Sequence, residues 1–211
     1  MRDPIAAPVT MTTDIELLNA WRAGDSAAGE RLFRRHFAAI ARFFRNKVTG
    51  DLEDLLQQTF LRGLEGRHRF RGESSFCGYL LGIACHVLAD YYRARYRARP
   101  ELALSEVSLH DLSPSPSLAL ADQREHQVLL AALREIPINY QIVVELYFWE
   151  SMTARAIAEV LEIPLGTAQT RLARARELLG ERIERLRSGA GLPQTQPVDL
   201  DAWAAAIRAT L

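Results

Sequence analysis

The stretch Thr167-Ala-Gln169-Thr170-Arg171-Leu-Ala173-Arg174-Ala-Arg176 gathers the side chains best equipped to read a nucleic acid. An Arg guanidinium pairs two donors with the O6/N7 edge of guanine, Gln pairs with adenine, and Thr contacts several bases. Neighbouring Arg side chains neutralise phosphates and fix the register. These residues follow a short apolar-striped segment, Thr153-Ala-Arg-Ala-Ile157-Ala158-Glu-Val160-Leu161, and a turn, Glu162-Ile163-Pro164-Leu165-Gly166. Thr167 is the expected cap of the second helix. A short helix, a Gly-containing turn and a longer helix make a DNA-binding helix-turn-helix, whose second helix enters the major groove. A structural hairpin with a solvated Arg face has the same pattern, so the motif alone leaves both readings open.

Nothing else in the chain is arranged for covalent chemistry. The five histidines, His36, His68, His86, His110 and His126, form no HExxH pattern. Cys77 and Cys85 stand eight apart on an expected helix, a poor geometry for a disulfide and no zinc-ligand spacing. There is no glycine-rich phosphate loop and no GxSxG. An enzyme is disfavoured, and no metal or other cofactor is expected.

The elements that must hold these residues are helical throughout. Thr13-Asp-Ile-Glu16 reads as a capping box opening a helix through Trp21 that ends near Gly24. Asp25 or Ser26 caps a second helix with the stripe Phe33, Phe37, Ile40, Phe44, Val48. A third starts at Asp51 and is expected to bury Leu52, Leu55, Leu56, Phe60 and Leu64. Asp51 and Asp54 stand at its N-terminus, where acids cap free N–H groups and oppose the dipole. After the glycine-containing break at 66–74, Ser74 or Ser75 caps a long helix. Phe76, Tyr79, Leu80, Ile83, Ala84, Val87, Leu88 and Tyr91 share one of its faces. It ends in Arg93, Arg95, Arg97 and Arg99 before Pro100. Residues 100–121, with Pro100, Pro114 and Pro116, read as a tether. Four helices are expected at about 122–135, 138–149, 153–161 and 167–187. A Gly/Pro/Gln-rich linker at 189–197 precedes a last short helical stripe, Leu200, Trp203, Ala204, Ile207.

The composition of the 211 residues, 48% hydrophobic and 25% charged, is that of a soluble globular chain of one or two domains. The longest apolar run, Tyr79–Cys85, is far short of the roughly 20 residues a membrane span needs. The first residues show no signal-peptide pattern, so a cytoplasmic protein without membrane insertion is expected. The net charge is zero but unevenly spread. Residues 14–100 carry 15 basic and 10 acidic side chains, and residues 101–127 carry 1 and 5. A basic N-terminal part is compatible with nucleic-acid contact. Lys47 is the only lysine.

Three motifs in order carry a family resemblance. Asp51-Leu-Glu53-Asp54-Leu-Leu-Gln57-Gln58-Thr59-Phe60 resembles the Asp-x-Glu-Asp-Leu-x-Gln-Glu-x-Phe signature of bacterial sigma factor region two. Phe70-Arg71-Gly72-Glu73-Ser74-Ser75-Phe76, followed by Tyr79-Leu80 and Ile83-Ala84, resembles a second stretch of the same region. Ala132-Leu133-Arg134-Glu135-Ile136-Pro137 and the helix-turn-helix after it resemble region four. Over about residues 14–187, the chain is similar to the extracytoplasmic-function (ECF) group of RNA polymerase sigma factors.

The resemblance implies roles for particular residues. Asp51, Glu53, Asp54 and Gln57 match the surface that docks on the β′ clamp helices of core RNA polymerase; the β subunit is the other expected contact. Gln58 replaces the family's usual Glu. Arg67, Arg69, Phe70, Arg71, Tyr79 and His86 match the part that opens the minus-ten element. There Arg supplies charge to the DNA backbone, and aromatics either stack on bases or simply fill the core. His86 stands where the family often has Asn, and Cys77 where it often has Arg. Arg93, Arg95, Arg97 and Arg99 are placed either for upstream phosphates or as a solvated helix end. Thr167, Gln169, Thr170, Ala173 and Arg174 match positions over the minus-thirty-five element, with Arg171 and Arg176 at backbone contacts. Gln169 replaces the usual Lys or Arg.

The resulting expectation is an all-α protein of two small helical domains joined by a flexible linker, with a short C-terminal helix. Region two occupies 14–99, the linker 100–121, region four 122–188 and a C-terminal extension 189–211. The implied function is to bind core RNA polymerase and direct promoter-specific initiation, with promoter DNA and an anti-sigma factor or other regulator as further partners. A stand-alone helix-turn-helix regulator is the alternative; it would have no use for a clamp-docking face.

Overall fold

Thr13 opens the first helix as expected. Its side chain accepts from Glu16 N, and the Glu16 carboxylate accepts from Thr13 N at 2.7 Å, which lowers the Glu16 pKa. In the computed structural model, residues 12–68, 70, 72, 74–95 and 124–189 are described. They form α1 (Asp14–Arg22), α2 (Ser26–Arg45), α3 (Leu52–Gly66), α4 (Phe76–Arg95), α5 (Arg124–Glu135), α6 (Ile138–Phe148), α7 (Ala154–Val160) and α8 (Leu165–Gly189). The fold is all-α. Arg69, Arg71, Arg97, Arg99, the expected tether and the expected terminal stripe lie outside the described residues.

Capping sets the helix starts. Asp25 accepts from Ala27 N and Ala28 N at 2.9 and 3.1 Å, so Asp25 rather than Ser26 caps α2. Gly24, at φ +108°, makes the tight turn before it. Ser75, not Ser74, accepts from Gly78 N at 3.0 Å and caps α4. Asp51 makes no side-chain cap on α3. Its carboxylate accepts instead from Tyr91 Oη at 3.0 Å, tying α3 to α4.

The four N-terminal helices close around an aromatic hub. Phe76 is buried, with its ring 5.6–6.1 Å from those of Phe33, His36, Phe70 and Tyr79. Trp21 packs edge-on against Phe33 at 5.1 Å and lies flat over Gly29 of α2. A Cβ at Gly29 would come within 2.6–2.7 Å of three atoms of the indole. Gly29→Ala is therefore expected to destabilise the protein. The overpacking costs about 1–3 kcal/mol and outweighs the ~1 kcal/mol gain in helix propensity. A lowered urea midpoint with unchanged slope is the expected reading.

Two expected core residues lie outside the core. Phe37 is 48% exposed and Leu64 39%. Phe37 stacks at 5.8 Å and 9° on Phe60 at the surface. Both α2 and α3 carry more apolar positions than their neighbours can cover, and these two fall at the margin of the stripe.

Helix α6 is buried nearly all round and joins the two halves. Ile138, Ile142, Val143 and Leu146 pack into the same core as α1–α4, together with Ile157, Val160, Ala168 and Leu172. Val144 and Phe148 point the other way, into a second core with Leu129 and Leu133 of α5, Ile136 just after it, and Leu179 and Ile183 of α8. A helix without a polar face must lie between two packed layers. Among the described residues no helix is long and apolar enough to cross a membrane.

Candidate nucleic-acid interface

Thr153 caps α7, accepting from Ala156 N at 3.2 Å. The chain then reverses at Leu161–Pro164 into α8. Two local expectations are corrected here. Glu162, at φ +52°, is the left-handed residue of the turn, whereas Gly166 lies inside α8. Pro164 ends the turn, and its carbonyl accepts from Ala168 N at 3.1 Å. The helix thus begins at Leu165, and Thr167 sits within its first turn rather than capping it. Proline is compatible with a helix start because its fixed φ suits that position and the missing N–H has no intrahelical partner there.

This register displays Gln169, Thr170, Ala173 and Arg174 on the exposed side of α8, while Ala168, Leu172 and Ala175 face the core. The Thr170 hydroxyl donates to Gly166 O at 2.8 Å, one turn back on the same helix. Arg174 is aligned by Glu177 at 2.9 Å, a bond that raises the Arg174 pKa. Arg171 and Thr167 are half-buried. Arg176 lies over the rings of Tyr147 and Phe148 at 4.6 and 5.3 Å, a cation–π contact that ties α8 to α6.

In the N-terminal half, Glu53, Asp54 and Gln57 are exposed on α3, and Leu55, Leu56, Thr59 and Gly63 of the same helix are buried. Gln58 donates to Asp54 Oδ2 at 2.7 Å, occupying the place where a second acid would repel it. Among the described minus-ten candidates, Phe70 is buried against Phe76 and Tyr79, and Tyr79 is half-buried. Arg67 lies over Trp21 at 5.5 Å and donates to Leu64 O at 3.0 Å. His86 is exposed on α4, 3.9 Å from Glu162 of the helix-turn-helix turn. Arg22 escaped the sequence reading. It donates to Arg67 O at 2.8 Å and to Phe70 O, stapling the loop before α4 onto α1. Its only local signal was a basic residue in the last turn of α1.

Burial pushes the Cys77 and Cys85 thiols up to about 12, so neither is a nucleophile at neutral pH. No group of three or more His, Cys, Asp or Glu that could hold a metal ion occurs among the described residues.

Fold and surface together define a helical protein with an exposed acidic helix face in one half and a helix-turn-helix in the other. Residues 31–98 match the family "Sigma-70 region 2" and residues 126–179 match "Sigma-70, region 4", together more than half of the chain. The ECF RNA polymerase sigma-E factor of Haemophilus influenzae is 27% identical over 183 residues, covering 82% of this chain and 97% of the relative. That of Escherichia coli is 24% identical over 184 residues, at 82% and 96% coverage. Two solved structures share the fold. The sigma factor RpoE of Bartonella quintana, in complex with the anti-sigma factor NepR, has a TM-score of 0.61 at 19% identity, over 74% of this chain and 96% of its own. CnrH, in complex with the cytosolic domain of CnrY, has a TM-score of 0.60 at 23% identity, over 82% and 97%. The chain belongs to the ECF group of sigma-70 RNA polymerase sigma factors.

If α8 reads bases as its exposed face implies, Arg174→Ala should cost about 1–3 kcal/mol at one or two upstream promoter positions and relax preference there. Arg171→Ala should weaken all sequences alike and lower the salt slope. A promoter-library selection with wild type, Arg174→Ala and Gln169→Ala measures both effects. Identical base preferences in all three would remove these side chains from the reading surface.

Proposed function

We propose that this sigma factor docks on the β′ clamp helices of core polymerase through Asp51, Glu53, Asp54 and Gln57. Arg67, Arg69, Arg71 and His86 then act at the minus-ten element, and α8 reads the minus-thirty-five element through Thr167, Gln169, Thr170, Ala173 and Arg174. In this assignment Arg171 binds phosphate. Phe70 and Tyr79 shape the minus-ten surface from within rather than stacking as free rings, since one is buried and the other half-buried. Arg176 contributes through its packing on α6 as much as through charge. Residues 14–99 and 122–188 act as the two functional units, 100–121 as their tether and 189–211 as an extension. The chain works in the cytoplasm, where promoter DNA and polymerase are, and leaves the chemistry of synthesis to the polymerase.

The observation that carries this reading is the divided surface of α3. Leu55, Leu56, Thr59 and Gly63 face the core, and the opposite side, with Glu53, Asp54 and Gln57, is left exposed. A free-standing helix-turn-helix regulator has no use for such a face. Mobility-shift binding of promoter duplex, with and without core polymerase, tests the assignment. Tight specific binding should need the core enzyme. Equally tight binding by the chain alone would favour the stand-alone regulator. The structural neighbour from Bartonella quintana is bound to an anti-sigma factor, and we extend that class of partner to this chain.

A further inference from the structure

The loop between α3 and α4, where the minus-ten candidates cluster, is gripped from one side by α1. Arg22 ends that helix. Its Nε and Nη2 donate to the Arg67 carbonyl at 3.1 and 2.8 Å, and Nη2 donates to the Phe70 carbonyl as well. The Arg67 guanidinium in turn lies over the ring of Trp21, 5.5 Å from its centroid. Two neighbouring residues of α1 thus hold Arg67 by its main chain and by its side chain. Further on, Gly72, at φ +78°, passes the first turn of α1: a Cβ there would be 3.8 Å from Ile15 Cδ1. The loop follows α1 from its last turn toward its first.

Helix α1 is a firm support for this loop. Asp14 bonds Arg35 and His36 of α2 at 2.6 and 2.7 Å, and Leu17 and Leu18 are buried. The Trp21 ring that carries Arg67 is itself seated on Gly29. Phe70 is held from α4 too, its ring 5.6 Å from that of Phe76 and 5.0 Å from that of Tyr79. With its carbonyl bonded to α1 and its ring packed on α4, Phe70 is a fixed point. Arg69 and Arg71 are its neighbours in sequence.

Among the described residues, the hydrogen bonds of the Arg22 side chain all go to main-chain carbonyls of this loop. A charged donor makes the stronger kind of hydrogen bond. The planar fork of arginine holds its acceptors in a set geometry, which the point charge of lysine does not. Arg22 is therefore built to shape a backbone. The match to region 2 starts at residue 31, so α1 lies before it.

We propose that Arg22 is a positioning residue for the minus-ten element. It fixes the loop backbone at Arg67 and Phe70 in the form that receives promoter bases, without itself touching DNA. This role rests on the minus-ten reading above. Capture of an unpaired strand needs cations and rings at set spacings. A loop ordered before DNA arrives is spared the entropic cost of being ordered on binding. A loop released from α1 samples many shapes and accepts different bases more nearly alike. Loss of Arg22 flattens base preference more than it weakens binding in general.

Two variants test this. Arg22→Met keeps the apolar stem and removes both charge and fork; Arg22→Lys keeps the charge and removes the fork. Each full-length chain is assembled with core polymerase and titrated with two fluorescent single strands. One carries the minus-ten element of a mapped promoter, and the other has the bases of that element replaced. The ratio of the two affinities is the reading, because a chain that is only less stable loses active molecules for both strands alike. Losing one charge-assisted bond is worth about tenfold in the population of the ordered loop, so Arg22→Met should lower the ratio by about that factor. Arg22→Lys should fall between Arg22→Met and wild type. Core binding should be unchanged, since Arg67 lies beyond the far end of α3 from Glu53 and Asp54. If Arg22→Met does not fold, Arg22→Lys decides alone. A wild-type ratio in Arg22→Met, or in Arg22→Lys, would overturn the positioning role and leave the minus-ten reading standing. Equal affinity of the wild-type holoenzyme for both strands would overturn the minus-ten reading, and this role with it.

Discussion

Glu53→Ala combined with Asp54→Ala is expected to abolish stable binding to core polymerase while leaving the fold intact. Both side chains are exposed, and neither touches the core that holds α3. Surface changes of this kind alter stability by about 0.5 kcal/mol or less. The loss at the docking surface is larger. Truncating a charge that becomes desolvated against an oppositely charged partner costs on the order of 2–5 kcal/mol, and even the low end is roughly thirtyfold in affinity. Asp54 also orients Gln58, so the double variant removes an aligned pair as well as two charges. Co-sedimentation with core enzyme measures the effect, and a thermal melt confirms that the variant folds. Undiminished binding by a folded variant would show that α3 docks elsewhere or not at all.

Phe76→Ala should be the most damaging single change in the N-terminal half. The ring touches Phe33, His36, Phe70 and Tyr79, and its loss opens a cavity beneath the loop that Arg22 staples to α1. Aromatic-to-Ala changes at buried sites cost about 3–5 kcal/mol, a large share of the stability of a domain this size. Phe76→Leu fills most of the space and should retain much of the stability and of promoter opening. This pair of variants separates a core role from a base-stacking role. If Phe76 stacked on bases, Phe76→Leu would fold normally and fail to open DNA. Denaturant midpoints and permanganate reactivity of the promoter distinguish the two.

The helices were legible because each carries its own start signal and its own apolar period. Thr13 and Asp25 were readable as caps since a short polar side chain before an apolar stripe has few other uses. Asp51 looked like another such cap, but its partner is Tyr91, forty residues away, and nothing local to Asp51 encodes that contact. The start of α8 was misplaced for a related reason. Pro164 and a left-handed Glu162 together replace the expected glycine turn, and the strain at Glu162 is accepted because tertiary packing of α7 on α8 fixes it. Phe37 and Leu64 follow the helical period faithfully and are exposed because periodicity states which face is apolar, not how wide a strip the neighbours cover.

The candidate site divided in the same way. The exposure of Gln169, Thr170, Ala173 and Arg174 follows from their spacing once Leu172 is inside. The stacking of Arg176 on Tyr147 and Phe148 depends on where α6 lies. Arg22 and the Lys47–Glu145 pair were invisible to pattern reading, since each joins positions 45 or more residues apart. The one local hint was compositional: a single lysine in a chain that otherwise uses arginine for every cation. Lysine shifts its pKa on burial far more readily than arginine, which suits it to a dry contact.

The central claim, that this chain confers promoter specificity on core polymerase through its two family regions, is tested most directly by reconstituted run-off transcription. Genomic fragments are transcribed by core enzyme with and without the purified chain, and the transcript 5′ ends are mapped. The account predicts discrete start sites that appear only when the chain is present and share two upstream sequence elements. It further predicts that they vanish with Glu53→Ala/Asp54→Ala. Unchanged transcription in the presence of folded chain and active core enzyme, alongside specific duplex binding by the chain alone, would contradict it.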